Sequence, residues 1–257
     1  MKLMEYRADA FVKQLPLADS AWAVTLILVG YLAFVLKLGR IYMQSRAPYN
    51  VKHLMLVYNL FQIVFNASLC LYGGYYFFRF YNLSCMETLP FDNPHKQIER
   101  WGTYAYYLNK ILDLLDTVFF VLRKSYKQIT LLHVYHHIMM VYTVFWVQRF
   151  YGFGGQYALM GILNTCVHSV MYTYYFFSAK YPQLKQSIWW KKYITTIQIA
   201  QFLILFVQSI YMLLFNRSCT FPLFMQYMQL FQASVMLIMF TKFYIQAYVK
   251  PIKKKQQ

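Results

Sequence analysis

Three histidines lie within about one helical turn of a segment that is otherwise rich in apolar residues. His133, His136 and His137 have the i, i+3, i+4 spacing that places side chains within about 100° of one another on one face of an α-helix. An imidazole can serve as a nucleophile, a general acid or base, or a metal ligand. One histidine in such a segment is often a packing residue, but three on one stripe predict a reactive or ligating face.

A second polar group lies about one helix earlier in the chain. It comprises Asn109, Lys110, Asp113, Asp116 and Thr117, which fall within an arc of about 120° on a helix. Each ionisable group inside a membrane helix costs about 3 kcal/mol. A buried Lys110–Asp113 pair, three residues apart, could merely fix the orientation of the helix. We instead expect these residues to face a functional interior.

Three later segments continue the pattern of polar residues at helical spacing. They contain Asn164, His168, Met171, Tyr172 and Tyr175; then Thr195, Gln198, Gln201 and Gln208; then Gln226, Gln229 and Gln232. A row of glutamines alone usually makes interhelical hydrogen bonds worth about 1 kcal/mol each. Because five segments each have one polar stripe, the simplest arrangement turns every stripe inward, towards one enclosed polar chamber.

The elements that would position these residues are membrane helices. The chain is 60% apolar and only 13% charged, whereas a soluble domain has about 25% charged residues. Apolar stretches long enough to cross a bilayer recur throughout. They predict an all-α integral membrane protein with seven transmembrane helices, at 21–38, 53–78, 103–122, 130–148, 155–178, 193–215 and 222–248. One catalytic domain, 21–248, would lie between an N-terminal segment, 1–20, and a basic tail, 249–257.

The charges between the predicted helices indicate the orientation of the chain. The loops after the first, third and fifth helices and the tail after the seventh contain Lys and Arg without any acidic residue. Basic residues concentrate on the cytosolic side of membrane proteins. The tail is therefore predicted to be cytosolic and the N-terminal segment lumenal. The net charge of +17 does not indicate a nucleic-acid partner, because the basic residues separate apolar runs instead of forming one face.

The four cysteines divide between helices and loops. Cys70 and Cys166 fall inside predicted helices, where a free cysteine behaves as a small apolar residue. Cys85 and Cys219 fall in two loops on the predicted lumenal side, where disulfides are permitted. These two could form a bridge or remain free thiols, and a bridge requires Cα atoms less than about 7 Å apart.

Four motifs follow one another over roughly residues 105–205. They are Lys110-x-x-Asp113-x-x-Asp116-Thr117, His133-x-x-His136-His137, Asn164-x-x-x-His168-x-x-Met171-Tyr172-x-Tyr174-Tyr175, and Thr195-x-x-Gln198-x-x-Gln201-Phe202. In this order and at this spacing they resemble the signatures of the very-long-chain fatty acid elongase (ELO) family. Asp113 stands where many members have glutamate, and the carboxylate is retained.

The resemblance implies a fold, a reaction and a location. Helices 2–7 would form a ring around a narrow enclosed acyl tunnel, with helix 1 outside. The reaction would join an acyl-CoA to malonyl-CoA, releasing CO₂ and CoA and giving a 3-oxoacyl-CoA two carbons longer. The expected partners are these two CoA esters, the lipid bilayer of the endoplasmic reticulum and other enzymes of the elongation cycle. No bound cofactor, metal or nucleic acid is expected.

The nucleophile is expected to be a histidine. Cys166 lies two residues from His168, about 200° round the helix, and points away from it. We expect His136 to attack the thioester, as the family motif suggests, with His168 as a second reacting or orienting group. His133 and His137 would orient imidazoles or transfer protons. Direct attack by a malonyl-derived enolate on the acyl-CoA is the rival mechanism.

The other motif residues complete the expected site. Lys110, Asp113 and Asp116 are assigned to the catalytic group. The residues expected to bind substrate are Asn164, Tyr172, Tyr175, Gln198, Gln201, Arg123 and Lys124. Arg123 and Lys124 would meet CoA phosphates, although basic residues at this position could serve topology alone.

Two other functions are compatible with parts of the pattern. Membrane di-iron desaturases and hydroxylases also carry histidine boxes, but they need about eight histidine ligands, and this chain has six in all. A seven-helix receptor would also have its N-terminus on the lumenal side. A receptor, however, gives no reason for three histidines on one face of a helix. Near the end of the chain, Lys254 and Lys255 resemble a dilysine retrieval signal for the endoplasmic reticulum; the alternative is an ordinary basic flank of the last helix.

Overall fold

The computed structural model describes residues 9–82, 85–152, 154–216 and 219–250, and the regular elements within these ranges are all helical. This confirms the all-α class. A 3₁₀ helix, Ala10–Gln14, precedes the main helices. These are α1 Ala21–Gln44, α2 Lys52–Phe80, α3 Lys96–Leu112, α4 Leu115–Leu122, α5 Leu131–Phe150, α6 Gln156–Lys180, α7 Ile188–Phe215 and α8 Leu223–Val249. Short 3₁₀ helices, Tyr126–Gln128 and Pro182–Gln186, precede α5 and α7.

Four helices of the described chain, α1, α2, α7 and α8, are long and apolar enough to cross a membrane. These helices indicate a multi-pass membrane protein. The remaining helices contain most of the polar motifs, which lowers their hydropathy, and α3 and α4 are too short individually. That the α3–α4 pair, α5 and α6 also cross the bilayer stays a prediction.

The third predicted helix is tightened at its centre, between α3 and α4. The backbone amides of Leu114, Asp116 and Thr117 each donate to the carbonyl three residues earlier, at 3.2 Å. Such 3₁₀ bonding makes side chains at i and i+3 eclipse one another. Lys110, Asp113 and Asp116 are spaced by three, so the tightening aligns the charged groups of this helix.

Helix packing brings the polar stripes towards each other. α2 packs along α6, α7 packs along α8, and further contacts join α6 to α7, α8 to α5, α5 to α3 and α3 to α2. α1 packs on α4 and α5, outside this sequence of contacts. α3 also contacts α6 directly. The enclosed acyl tunnel stays a prediction.

The described part of the N-terminal segment packs on the predicted lumenal end of the bundle. Asp9 accepts two hydrogen bonds from Arg100, at 2.7 and 2.9 Å. The hydroxyls of Tyr104 and Tyr107 donate to backbone carbonyls of this segment. These contacts tie the segment to α3. Residues 1–8 and the end of the basic tail, with Lys254 and Lys255, lie outside the described residues.

Two disulfides cross-link the chain. Cys85 and Cys219 are joined, with Cα atoms 5.4 Å apart, and connect the segments that precede α3 and α8. Cys70 and Cys166 are also joined, with Cα atoms 5.2 Å apart, so the expectation of free thiols inside the helices is wrong. The reason is the packing of α2 along α6, which places the two thiols face to face.

Candidate active site

A buried ion pair lies at the centre of the site. Lys110 Nζ is 2.7 Å from Asp113 Oδ2, and the two side chains are 1% and 2% exposed. Lys110 also donates to Asn164 Oδ1 at 2.9 Å, and Gln62 Nε2 donates to Asp113 Oδ1 at 3.0 Å. A buried pair costs stability unless its remaining hydrogen-bonding capacity is satisfied. The amides from α2 and α6 supply that satisfaction.

Two amides of α2 extend this network towards α3. Asn109 Nδ2 donates to Asn66 Oδ1 at 3.1 Å, and Asn66 Nδ2 donates to Gln62 Oε1 at 2.9 Å. None of the site residues predicted from the sequence lies on α2. The signal was present, because Asn59, Gln62 and Asn66 recur at spacings of three and four in an otherwise apolar helix, and all three are buried.

His168 of α6 joins the same cluster. Its Nδ1 atom is 3.4 Å from Lys110 Nζ and 3.4 Å from Asp113 Oδ2. Lys110 has three ammonium protons, and Asp113, Asn164 and His168 can provide three acceptors for them. Nδ1 lies at the same distance from the ammonium and from the carboxylate, so the tautomer of His168 decides whether it accepts from Lys110 or donates to Asp113.

The two acids of α3 and α4 are connected by one hydroxyl. Tyr172 OH is 2.7 Å from Asp116 Oδ2 and 3.1 Å from Asp113 Oδ1. Tyr58 OH lies 3.3 Å from the same hydroxyl. Tyr175 packs edge-on against the Tyr172 ring. Both predicted tyrosines of α6 are therefore next to the carboxylates.

The histidine box opens α5 and faces the cluster. Thr130 Oγ1 caps the helix by accepting from the His133 backbone amide at 3.2 Å. The His136 ring centroid is 6.3 Å from that of His168 and 5.6 Å from that of His137. Phe202 and Phe240 border the other sides of the His136 ring. His136 and His168 thus face each other from neighbouring helices.

A cavity of about 630 Å³ opens from Asp116 towards the predicted cytosolic end. Its polar lining includes Asp116, Arg123, Tyr175, Lys185, Lys191, Thr195 and Gln198. Lys185 and Lys191 were not selected from the sequence, since they resembled the basic flanks of ordinary membrane helices. Of the other expected binding residues, Lys124 lies in the turn beside Arg123 without lining the cavity, and Gln201 is buried on α7.

Arg123 is one of three basic residues in the described lining of this cavity. Its Nε atom is buried and has no hydrogen-bond partner among the described residues. Partial burial lowers the pKa of its guanidinium from the ordinary value, but an arginine remains protonated in proteins. Arg123 Nη2 donates to Gln128 Oε1 at 3.3 Å, and the guanidinium brings a positive charge to the cavity lining.

A separate apolar cleft of about 130 Å³ approaches the cluster from the predicted lumenal side. It is lined by parts of α2, α3, α5 and α6, with Glu99 near its far end and Tyr106 near the cluster. Tyr106 OH donates to Asn164 Oδ1 at 3.0 Å, so this ring separates the cleft from the buried ion pair. The Lys110–Asp113 pair thus lies between Tyr106, which lines the apolar cleft, and Asp116, which lines the basic cavity.

The described residues contain one close set of potential metal-ligand side chains. It comprises Cys85, Glu87 and Cys219, and its two thiols are joined in a disulfide. The histidine box does not form such a set with the acids of α3 and α4.

Comparisons with known proteins agree with the four motifs. Residues 16–256 match the profile of the GNS1/SUR4 (ELO) family. Very long chain fatty acid elongase F of Drosophila melanogaster is 37% identical over 243 residues, covering 94% of this chain and 94% of that protein. Very long chain fatty acid elongase 7 of the same species is 36% identical over 253 residues, covering 96% and 75%.

A human relative extends the similarity beyond insects. Very long chain fatty acid elongase 4 of Homo sapiens is 33% identical over 250 residues, covering 96% of this chain and 78% of that protein. The family profile and these relatives all span nearly the whole chain. This protein belongs to the ELO family of very long chain fatty acid elongases.

Proposed function

We propose that the protein condenses a long-chain fatty acyl-CoA with malonyl-CoA in the endoplasmic reticulum membrane. The product is a 3-oxoacyl-CoA two carbons longer, and CO₂ and CoA are released. One observation carries the proposal: His136 and His168 face each other beside a buried Lys110–Asp113 pair, between a basic cavity and an apolar cleft. A substrate with an anionic head and an apolar tail fits that arrangement.

The two ends of an acyl-CoA have different requirements. Its phosphates would meet Arg123, Lys185 and Lys191 in the basic cavity, because guanidinium and ammonium groups are suited to phosphate binding. Its acyl tail would pass the catalytic histidines and continue towards the apolar cleft beyond Tyr106. The thioester would then lie near the space between the His136 and His168 rings.

In the first half-reaction, His136 acts as the nucleophile. The unprotonated ring nitrogen attacks the thioester carbonyl, and the CoA thiolate leaves. The proton on the other ring nitrogen passes to the thiolate, with His137 or His133 as carrier. The products are CoA and an acyl-imidazole on His136.

In the second half-reaction, malonyl-CoA provides the carbon nucleophile. Its carboxylate leaves as CO₂, and the electron pair of the broken C–C bond forms an enolate. The enolate carbon attacks the acyl carbonyl, and the His136 nitrogen departs with its electron pair and takes up one proton from water, with His137 or His133 as carrier. Asn164 Oδ1 already accepts from Lys110 and Tyr106, so its Nδ2 group is left to donate to a developing oxyanion.

The test is to supply the purified protein with acyl-CoA alone. We expect release of CoA and an acyl adduct detectable by intact mass, since a ping-pong reaction does not need malonyl-CoA for its first step. His136→Ala should abolish the adduct and elongation. His168→Ala should slow turnover and spare part of the acylation. His53→Ala is the matched control, because His53 is exposed at the start of α2.

Different outcomes test the covalent mechanism and the condensing function separately. A protein that elongates with malonyl-CoA, yet releases no CoA and forms no adduct without it, uses direct enolate attack, with the histidines as acid, base and oxyanion partners. Absence of any malonyl-CoA-dependent extension, over a panel of acyl-CoAs, would refute the condensing function itself.

A further inference from the structure

A hydrogen-bonded connection runs from the outermost helix to the histidine box. Tyr31 OH on α1 is 2.8 Å from Thr117 Oγ1 on α4, and the same oxygen is 2.8 Å from His133 Nε2 on α5. Tyr31 is 7% exposed and Thr117 is fully buried. None of the four sequence motifs includes a residue of α1, which packs outside the other helices.

The bonds can run in one direction along this connection. Among the described residues, Thr117 is the only hydrogen-bond partner of the Tyr31 hydroxyl, so the phenolic proton points at Thr117 Oγ1. The Thr117 hydroxyl has one proton and two acceptor positions. It either donates to His133 Nε2 or accepts a second bond from a protonated Nε2, and only the first arrangement continues the direction set by Tyr31. In the opposite direction the Tyr31 proton would have no acceptor, and an unsatisfied buried donor costs about 1–3 kcal/mol.

The favoured direction determines the protonation of one imidazole. His133 Nε2 accepts a hydrogen bond, so a neutral His133 carries its ring proton on Nδ1. The same bond fixes the ring relative to His137, whose centroid is 4.3 Å away. His137 in turn lies beside His136.

We propose that Tyr31 is a positioning residue: acting through Thr117, it holds His133 in the Nδ1-protonated form and orients the histidine box. The effect on turnover rests on the proposed condensing function. The protonation of His133 does not, and it can be measured without substrate. A bond that served only to dock α1 against α4 would leave the state of His133 unchanged when removed.

The experiment measures the histidine ring directly. ¹⁵N-histidine-labelled protein in detergent micelles is examined by NMR, which distinguishes protonated from unprotonated ring nitrogens, and His133→Gln identifies the His133 signals. We expect Nδ1 protonation in the unaltered protein. Tyr31→Phe and Thr117→Val should each change the tautomer ratio of His133, whereas Thr117→Ser keeps the hydroxyl and should restore the original signal.

Tyr107→Phe is the matched control. Tyr107 is a buried tyrosine whose hydroxyl donates to the Leu17 carbonyl, away from the histidines, so its removal should leave the His133 signals unchanged. In steady-state elongation, Tyr31→Phe and Thr117→Val should lower kcat about 10-fold, the equivalent of about 1.4 kcal/mol, with little change in KM. Thr117→Ser should recover most of that loss.

Two results would overturn the proposal. One is an Nε2-protonated His133 in the unaltered protein. The other is a His133 signal that neither Tyr31→Phe nor Thr117→Val changes, in variants whose melting curves show that they fold. A correct tautomer response in a protein that never elongates would uphold the positioning role and refute the condensing function instead.

Discussion

Breaking the Lys110–Asp113 pair should destabilise the protein more than removing both of its charges. The two side chains are almost completely buried and their charged atoms are 2.7 Å apart. Replacing one partner of such a pair leaves an uncompensated buried charge, at a cost of about 3–5 kcal/mol. Lys110→Met retains much of the side-chain volume and leaves the Asp113 carboxylate with the neutral donors Gln62 and Tyr172 and with His168 Nδ1 at 3.4 Å.

This free-energy cost can be converted to a change in melting temperature. A chain of this size loses roughly 2–4 °C for each kcal/mol, so Lys110→Met should lower the Tm by about 6–20 °C. The double variant Lys110→Met/Asp113→Leu removes both charges and should melt above Lys110→Met, because no unpaired buried charge remains. Every variant of the pair should lose elongase activity.

The assay is thermal unfolding in detergent, with activity measured on the same preparations. Lys52→Met is the matched control for the single change: it makes the same substitution at an exposed position outside the site, where the expected effect is within about 0.5 kcal/mol. If Lys110→Met melts like this control, or if the double variant melts well below Lys110→Met, the pair is not a satisfied buried ion pair and the reasoning fails.

Three further predictions concern the surroundings of the site. Gly102→Leu should shorten the longest product seen by mass spectrometry. Gly102 lines the apolar cleft and a Cβ there meets no atom within 4 Å, so a leucine side chain can occupy space that the acyl tail would use. An unchanged product distribution would place the acyl tail elsewhere. Lys191→Ala should raise the KM for both CoA esters several-fold with kcat retained, and the effect should diminish at high salt as screening increases; a salt-independent loss of kcat would argue against a phosphate contact. Cys70→Ser should lower the Tm by removing the cross-link between α2 and α6, at a cost of about 2–4 kcal/mol; a Tm equal to that of the unaltered protein would show that the bridge is not formed.

The sequence by itself determined the class of the protein and most of the groups that we propose to react. Helical periodicity is local, so it placed His133, His136 and His137 on one face and predicted that Lys110 can pair with Asp113. Hydropathy identified the long apolar helices, because twenty successive residues suffice to recognise a stretch that can cross a bilayer. The ordered motifs identified the family for the same reason: each is a short pattern readable without knowledge of the fold.

Only the tertiary structure decided which faces meet. The Cys70–Cys166 bridge, the amides of Gln62 and Asn66, and the reach of Tyr31 to the histidine box all join segments far apart in sequence. Each depends on which helix packs against which, and hydrophobic contact between membrane helices is too uniform to specify partners from composition. The physical reason is that spacing along one helix fixes a direction around its own axis, whereas a contact needs the relative position of two axes.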